Sequence, residues 1–168
     1  MSQKIIVSTN SSWNIINFRR GLLKHLQDRG FRVYVAAPKD DYSSQIEEMG
    51  CIFIPIRMIA RSKNPLKDFI TFLQYIKLFI QIRPSFFLGF TIKPNIWGGI
   101  AARIFGITRI LNIAGLGQIY SSNGYLSNFV GFLYSFALKN SKTIFFQNKE
   151  DCDYFISKGL ATKENATL

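Results

Sequence analysis

The sequence predicts an α/β domain built on a doubly wound, mostly parallel sheet of about six strands. Three observations predict it. Short apolar, β-rich runs alternate with segments of helical periodicity along the whole chain. Several of those runs end in loops of Gly, Asn and Ser that open directly into a helix, as in FTIKPNIWGGIAARIF (Phe90–Phe105) and NIAGLG (Asn112–Gly117). With 168 residues, 48% of them apolar and 18% charged, the chain can bury a real core and is not disordered.

Each element follows from local chemistry. Lys4–Asn10 is a β-rich run ending in polar residues, the first strand. Trp13–Arg29 has helical periodicity and stops at Gly30, a residue suited to the left-handed turn that ends helices. Arg32–Ala37 (RVYVAA) is the second strand, closed by Pro38, and Ser43–Met49 a short helix ending at Gly50. Cys51–Ile56 (CIFIPI) is the third strand, where Pro55 marks an edge or an end. A basic loop, Arg57–Lys63, leads into a helix from Pro65 to Ile82, stopped by Pro84. Ser85–Phe90, Arg109–Ile113 and Thr143–Gln147 are the fourth to sixth strands; Pro94–Phe105, Leu126–Lys139 and Lys149–Ser157 are the helices after them. The last residues, ATKENATL, have no turn, strand or stop character and read as the start of a linker.

Bulk properties exclude several classes. A net charge of +11 favours anionic partners. The sequence argues against nucleic acid, because there is no basic run of five or more, no zinc spacing and no RNP-like aromatic motif. Cys51 and Cys152 form no C-x-x-C pair, which points to buried thiols in a reducing compartment. The start, MSQKIIVSTN, lacks the apolar core of a secretion signal, and no segment is apolar enough to span a bilayer. Sixteen phenylalanines imply a heavy core or a greasy surface.

In a doubly wound sheet, ligands bind beyond the carboxyl ends of the strands, at the topological switch point, which lies between the first and fourth strands if the order is 3-2-1-4-5-6. The loops there are Asn10-Ser11-Ser12-Trp13-Asn14 and Thr91-Ile92-Lys93-Pro94-Asn95, beside Ala114-Gly115-Leu116-Gly117 and Gln147-Asn148. Helix N-termini in such loops suit phosphate. At 100° per residue Ile15, Phe18, Leu22, Leu23 and Leu26 form an apolar arc, and Arg19 falls inside it. Arg19 therefore either faces an anionic ligand group or snorkels to the rim or pairs with a buried carboxylate. His25, the lone histidine, reads as a packed mid-helix residue rather than a base. Lys93 either meets a phosphate or is a solvated loop lysine. Glu150-Asp151 reads as helix capping, and Gly98-Gly99 as close helix–sheet packing. No G-x-G-x-x-G follows the first strand and there is no P-loop, which argues against dinucleotide and nucleoside-triphosphate enzymes.

SWNIINFRRGLLKHLQDRGFRVYVAAP, NPLKDF, FTIKPNIWGGIAARIFGI, NIAGLG and LYSFALKNSKTIFFQNKEDCDYF together resemble the N-terminal half of bacterial family 4, GT-B-fold glycosyltransferases of the capsule, O-antigen and lipid-linked-oligosaccharide type. TIKPN, and FQN before an acidic helix start, are the most specific pieces. The resemblance implies a Rossmann-like acceptor-binding lobe over residues 1–160 and the start of an interdomain linker at 161–168. It implies a nucleotide-sugar donor such as a UDP-sugar, with no cofactor and no metal. The acceptor would be an undecaprenyl-diphosphate-linked saccharide at the cytoplasmic face of the bacterial plasma membrane. Ser11 to Asn14 would lie over the cleft with Arg19 behind them, and Thr91 to Asn95, Gly115 to Gly117, Gln147 and Asn148 would line its floor.

The donor-binding lobe of that family would be absent, so the chain alone is expected to have little or no transferase activity. A peripheral anionic membrane surface is a further expected partner, contacted by Arg57–Lys67 and the Leu126–Lys139 helix. Two other readings stay open. One is a non-catalytic membrane-docking subunit of a two-chain glycosyltransferase; the other is a stand-alone α/β binding module.

Overall fold

The computed structural model describes residues 2–59, 65–115 and 125–168, without side-chain detail at 65–66 and 125–128. The elements run β1 (Lys4–Ser8), α1 (Ser12–Phe18), α2 (Arg20–Asp28), β2 (Arg32–Ala37), α3 (Ser43–Glu48), β3 (Ile52–Pro55), α4 (Pro65–Ile82) and β4 (Phe86–Phe90). A π-helical turn (Pro94–Gly98) then continues into α5 (Gly99–Ile104), followed by β5 (Thr108–Ile113), α6 (Tyr125–Leu138), β6 (Thr143–Phe146), α7 (Lys149–Ser157) and β7 (Ala166–Thr167). All seven strands pair in parallel, in the order β3-β2-β1-β4-β5-β6-β7. The doubly wound parallel sheet is thus as the sequence predicts, with one more strand.

Successive strand side chains point to opposite faces, so each central strand feeds two cores. Ile5, Val7, Val33 and Val35 pack against Ile15, Leu23 and Ile46 of α1–α3. On the other face Ile6, Phe87, Leu111 and Ile144 meet Tyr75 and Phe79 of α4, Leu138 of α6 and Phe155 of α7. Strands buried on both faces must be apolar throughout, which is why KIIV and FFL show no polar alternation. The phenylalanines serve both roles. Phe79, Phe87, Phe146 and Phe155 are buried, whereas Phe69, Phe129, Phe132 and Phe136 lie exposed on helices.

Gly98 and Gly99 do permit close packing. A Cβ at Gly98 would sit 2.3 Å from the Phe87 ring, and one at Gly99 would sit 3.3 Å from the Ala137 Cβ. Gly30 ends α2 at φ 82, and Pro55 ends β3, an edge strand. Both cysteines are buried and free.

Four expectations need correction. Trp13–Arg29 is two helices, broken at Arg19 (φ −128°, ψ 3°). The break shifts the phase of the apolar arc, so Phe18 is 59% exposed and Ile16 is buried in its stead. His25 is exposed, because it falls on the outer side of α2. The stretch read as structureless linker contains β7, whose residues pair with Ile144 and Phe145 of β6. Two residues are too few for a periodicity signal, so only pairing reveals the strand.

Candidate cleft at the carboxyl edge of the sheet

β1 and β4 are neighbours at the sheet centre, and the chain leaves them for opposite faces, α1–α3 on one side and α5 on the other. Their carboxyl ends therefore flank a crevice, as the topology requires. A cavity of about 240 Å³ opens there, lined by Asn10, Thr91, Ile92, Lys93, Asn95, Ala114, Gly115 and Tyr134. Five residues singled out from sequence, Asn10, Thr91, Lys93, Asn95 and Gly115, are brought together in it.

The backbone after β4 is unusual. Thr91 has φ 67°, a left-handed conformation that a β-branched residue adopts only under local constraint. The π turn that follows begins at Pro94, which has no amide hydrogen to give, and such turns are frequent at functional sites. Asn95 is buried; its Nδ2 donates to the Asn112 carbonyl at 2.8 Å while its Oδ1 has no partner. That oxygen lies against Gly89, where a Cβ would come within 2.6 Å of it, so only glycine in β4 leaves room. Thr91 Oγ1 and Asn112 Oδ1 are also buried without hydrogen-bond partners. Buried polar atoms are normally paired, so three orphans on Thr91 after β4, Asn95 in the π turn and Asn112 in β5 are unusual for one small region.

Lys93 is not a solvated loop lysine: it is buried, lines the cavity and forms an ion pair with Asp68 of α4. Sequence reasoning missed Asp68. Its signal was there: Asp68 is the only carboxylate side chain between Glu48 and Glu150. Tyr134 of α6 and Asn112 of β5 were missed too, since nothing local distinguishes them from core residues.

The Asn10–Asn14 segment is mostly a helix entry. Ser11 caps α1, its Oγ accepting from the Asn14 amide at 3.2 Å. Ser12 is buried, donates to the Pro38 carbonyl and meets Ser43 Oγ, both at 3.0 Å. Trp13 is exposed, its amide bonded to Asp40 and its ring edge-on to Phe18. Asn14 Oδ1 is a further buried orphan. Of this segment only Asn10 reaches the cavity.

Arg19 lies outside the cavity lining but beside the same strand end. Its guanidinium sits 4.4 Å from the centroid of Phe90, and Nη1 donates to the Phe18 carbonyl at 3.0 Å. Nε is buried and unpaired, no carboxylate lies within ion-pairing distance, and burial lowers its affinity for its proton. Arg19 is half-buried and its tip bonds at an exposed position, as snorkelling to the rim expects, and no carboxylate among the described residues pairs with it. Gln147 and Asn148 are exposed, and Asn148 is occupied as the cap of α7, accepting from the Asp151 amide and donating to Asp151 Oδ2. The acidic start of α7 thus acts in capping, as the sequence predicts. Gly117 lies outside the described residues.

Comparison with known proteins adds the family. Residues 4–148 match the family described as Glycosyl transferase 4-like. Over 157 residues the chain is 29% identical to the N,N'-diacetylbacillosaminyl-diphospho-undecaprenol alpha-1,3-N-acetylgalactosaminyltransferase of Campylobacter jejuni subsp. jejuni, covering 90% of this chain and 41% of that protein. Among solved structures it is similar to a UDP-N-acetylglucosamine 2-epimerase, with TM-score 0.72 and 15% identity over 100% of this chain and 48% of that one. It is also similar to the S. aureus MnaA–UDP co-structure, with TM-score 0.67 and 18% identity over 99% of this chain and 44% of that one. Identities this low carry the fold alone. The chain spans less than half the length of each of these relatives.

Proposed function

The chain belongs to the glycosyl transferase 4-like family, and on that premise we propose that it forms the acceptor-side lobe of a nucleotide-sugar-dependent glycosyltransferase. Residues 1–160 are that lobe, and the acceptor is a polyprenyl-diphosphate-linked saccharide of surface polysaccharide synthesis. The observation that carries this reading is the cavity between β1, β4 and β5, lined by the polar side chains of Asn10, Thr91, Lys93 and Asn95. Hydroxyl-rich sugars exchange hydrogen bonds with such side chains. The name of the Campylobacter relative supports the lipid-diphosphate class of acceptor.

Arg19 supplies the remaining piece. A charged guanidinium in neither ion pair of the described residues, seated on the Phe90 face at the end of β4, suits one oxygen of the acceptor diphosphate. The donor is a nucleotide sugar such as a UDP-sugar, a class consistent with the UDP-bound S. aureus structure of like fold.

Attachment to the anionic inner face of the plasma membrane belongs to the same reading. No helix among the described residues is long and apolar enough to cross a membrane. α6, however, turns Phe129, Phe132 and Phe136 outward while burying Tyr134, Ala137 and Leu138. Between Asp68 and Glu150 there is no carboxylate side chain but eight lysines and arginines. An apolar stripe on a basic, acid-free region is what an anionic bilayer attracts, at about 1 kcal/mol per basic residue near the surface.

The test uses the protein that contains this chain, assayed for sugar transfer with Asn95→Ala and Arg19→Ala. Each is expected to raise the acceptor KM about tenfold with the donor KM unchanged, the loss of one hydrogen-bonded or charged contact. Normal activity with unchanged acceptor KM in both variants would overturn the acceptor assignment.

A further inference from the structure

A second cavity, of about 480 Å³, opens at the opposite, amino-terminal edge of the sheet, lined by Arg103, Gly106, Ile107, Thr108, Arg109, Asn140 and Lys142. It shares no residue with the cleft at the carboxyl edge. Arg109, at the start of β5, is only 5% exposed. Its Nη2 donates to the Lys139 carbonyl at 2.6 Å, at the end of α6, while its Nε is buried with no partner. Ser141 Oγ, in the same turn before β6, is a second buried orphan.

The charge around Arg109 is uncompensated. Arg103 is close enough that, after burial itself, its charge is what most disfavours the Arg109 cation. Lys142 adds a third cation to the lining. The ion pairs Lys24–Asp28 and Lys93–Asp68 lie elsewhere, and no Asp or Glu occurs between Asp68 and Glu150 to answer these three. A buried guanidinium is stable only when paired or hydrogen-bonded through its remaining donors. One helix-end carbonyl uses one of five. Nε has no partner, and no carboxylate among the described residues pairs with the group.

We propose that this amino-edge cavity is a binding site for a phosphate-class anion, held by Arg109 from below and by Arg103 and Lys142 from the rim. Phosphate oxygens match the forked donors of arginine, and at 480 Å³ the cavity has room for a phosphate group with its waters. Two sources present that chemistry, a soluble phosphate compound and a phospholipid head group. Arg103 bears on the second: its guanidinium stacks 4.1 Å above the Phe136 ring and donates to the Phe136 carbonyl at 2.7 Å. The rim of the cavity thus adjoins the exposed Phe129–Phe132–Phe136 stripe. The site stands on its own geometry and does not depend on the glycosyltransferase reading.

The experiment is a titration of the chain with sodium phosphate against sodium chloride at matched ionic strength, read by thermal unfolding. It is paired with flotation on phosphatidylglycerol and on phosphatidylcholine vesicles. Asn140→Asp, which sets a carboxylate in the cavity at a left-handed position (φ 60°) that Asp tolerates, is the first variant. Arg103→Gln with Lys142→Gln is the second, and unfolding in chloride alone checks that both are folded. Wild type is expected to be stabilised by phosphate, with binding about tenfold weaker in either variant, as the loss of a charge-assisted contact requires. Phosphatidylglycerol binding that free phosphate displaces assigns the site to a lipid head group. Phosphate binding without selective flotation assigns it to a soluble anion. Equal phosphate response in wild type and both folded variants, or no response to phosphate or phosphatidylglycerol at all, overturns the proposal.

Discussion

Lys93 and Asp68 illustrate how far single residues matter in a basic chain. The lysine is buried at the cleft and its counter-charge comes from α4, 25 positions away. Removing one partner strands a buried charge, whereas removing both does not. Asp68→Asn is therefore expected to destabilise the fold by about 3 kcal/mol in urea unfolding, and Asp68→Asn with Lys93→Met to recover most of that loss. Cys51 sets a pH limit. Burial pushes its thiol up to about 11 from the ordinary value of 9.0. Below 9 the thiol is protonated in both states and costs nothing. As pH rises from 9 towards 11, the unfolded chain releases the proton while the fold retains it, so stability falls. Burial also pushes the Tyr75 phenol up, in the same direction. Thermal unfolding between pH 8 and 11 should show this decline, with a shallower slope in Cys51→Ala. Of the cavity-lining residues, Asn10, Thr91, Asn95 and Gly115 were legible because small and amide residues after strands have a backbone reason to be there, and Lys93 because it is the lone charge among them. Asp68, Asn112 and Tyr134 were not, since their roles depend on neighbours distant in sequence.

At the scale of elements, glycine placement and helix breaks decide the geometry. Gly98 lies in the π turn that carries Asn95 into the cleft, with the Phe87 ring where its side chain would be. Gly98→Ala should overpack this contact and cost about 1–3 kcal/mol in urea unfolding. Phe87→Leu in the same chain should relieve the clash and recover part of the loss. The pair Gly98-Gly99 was readable as a packing device from sequence, but the π turn was not: a π and an α turn differ by one residue in hydrogen-bond register, not in composition. The break at Arg19 was hidden for a similar reason. Apolar periodicity continues across it with a changed phase, and the eye joins the two helices into one.

At the scale of the molecule, stability should follow the sheet from centre to edge. β1 and β4 are paired on both sides and buried on both faces, whereas β3 and β7 each pair on one side only. Native-state hydrogen exchange is expected to protect the amides of Ile6, Val7, Phe87 and Leu88 most and those of β7 least. Equal protection of β7 and β1 would contradict this. Charge is also distributed at this scale, since the stretch between Asp68 and Glu150, which has no carboxylate side chain, carries both the exposed aromatic stripe and the amino-edge cavity. By itself the sequence determined the alternating α/β class, six of seven strands, the carboxyl-edge location of the cleft and the family, because these depend on local periodicity, turn residues and motif order. Only the tertiary structure decided which loop residues face the cavity, that Lys93 is neutralised, that Arg19 and Arg109 are not, and that β7 joins the sheet. Those outcomes are pairings between distant segments, where burial and electrostatics are settled by the fold's three-dimensional neighbours rather than by spacing along the chain.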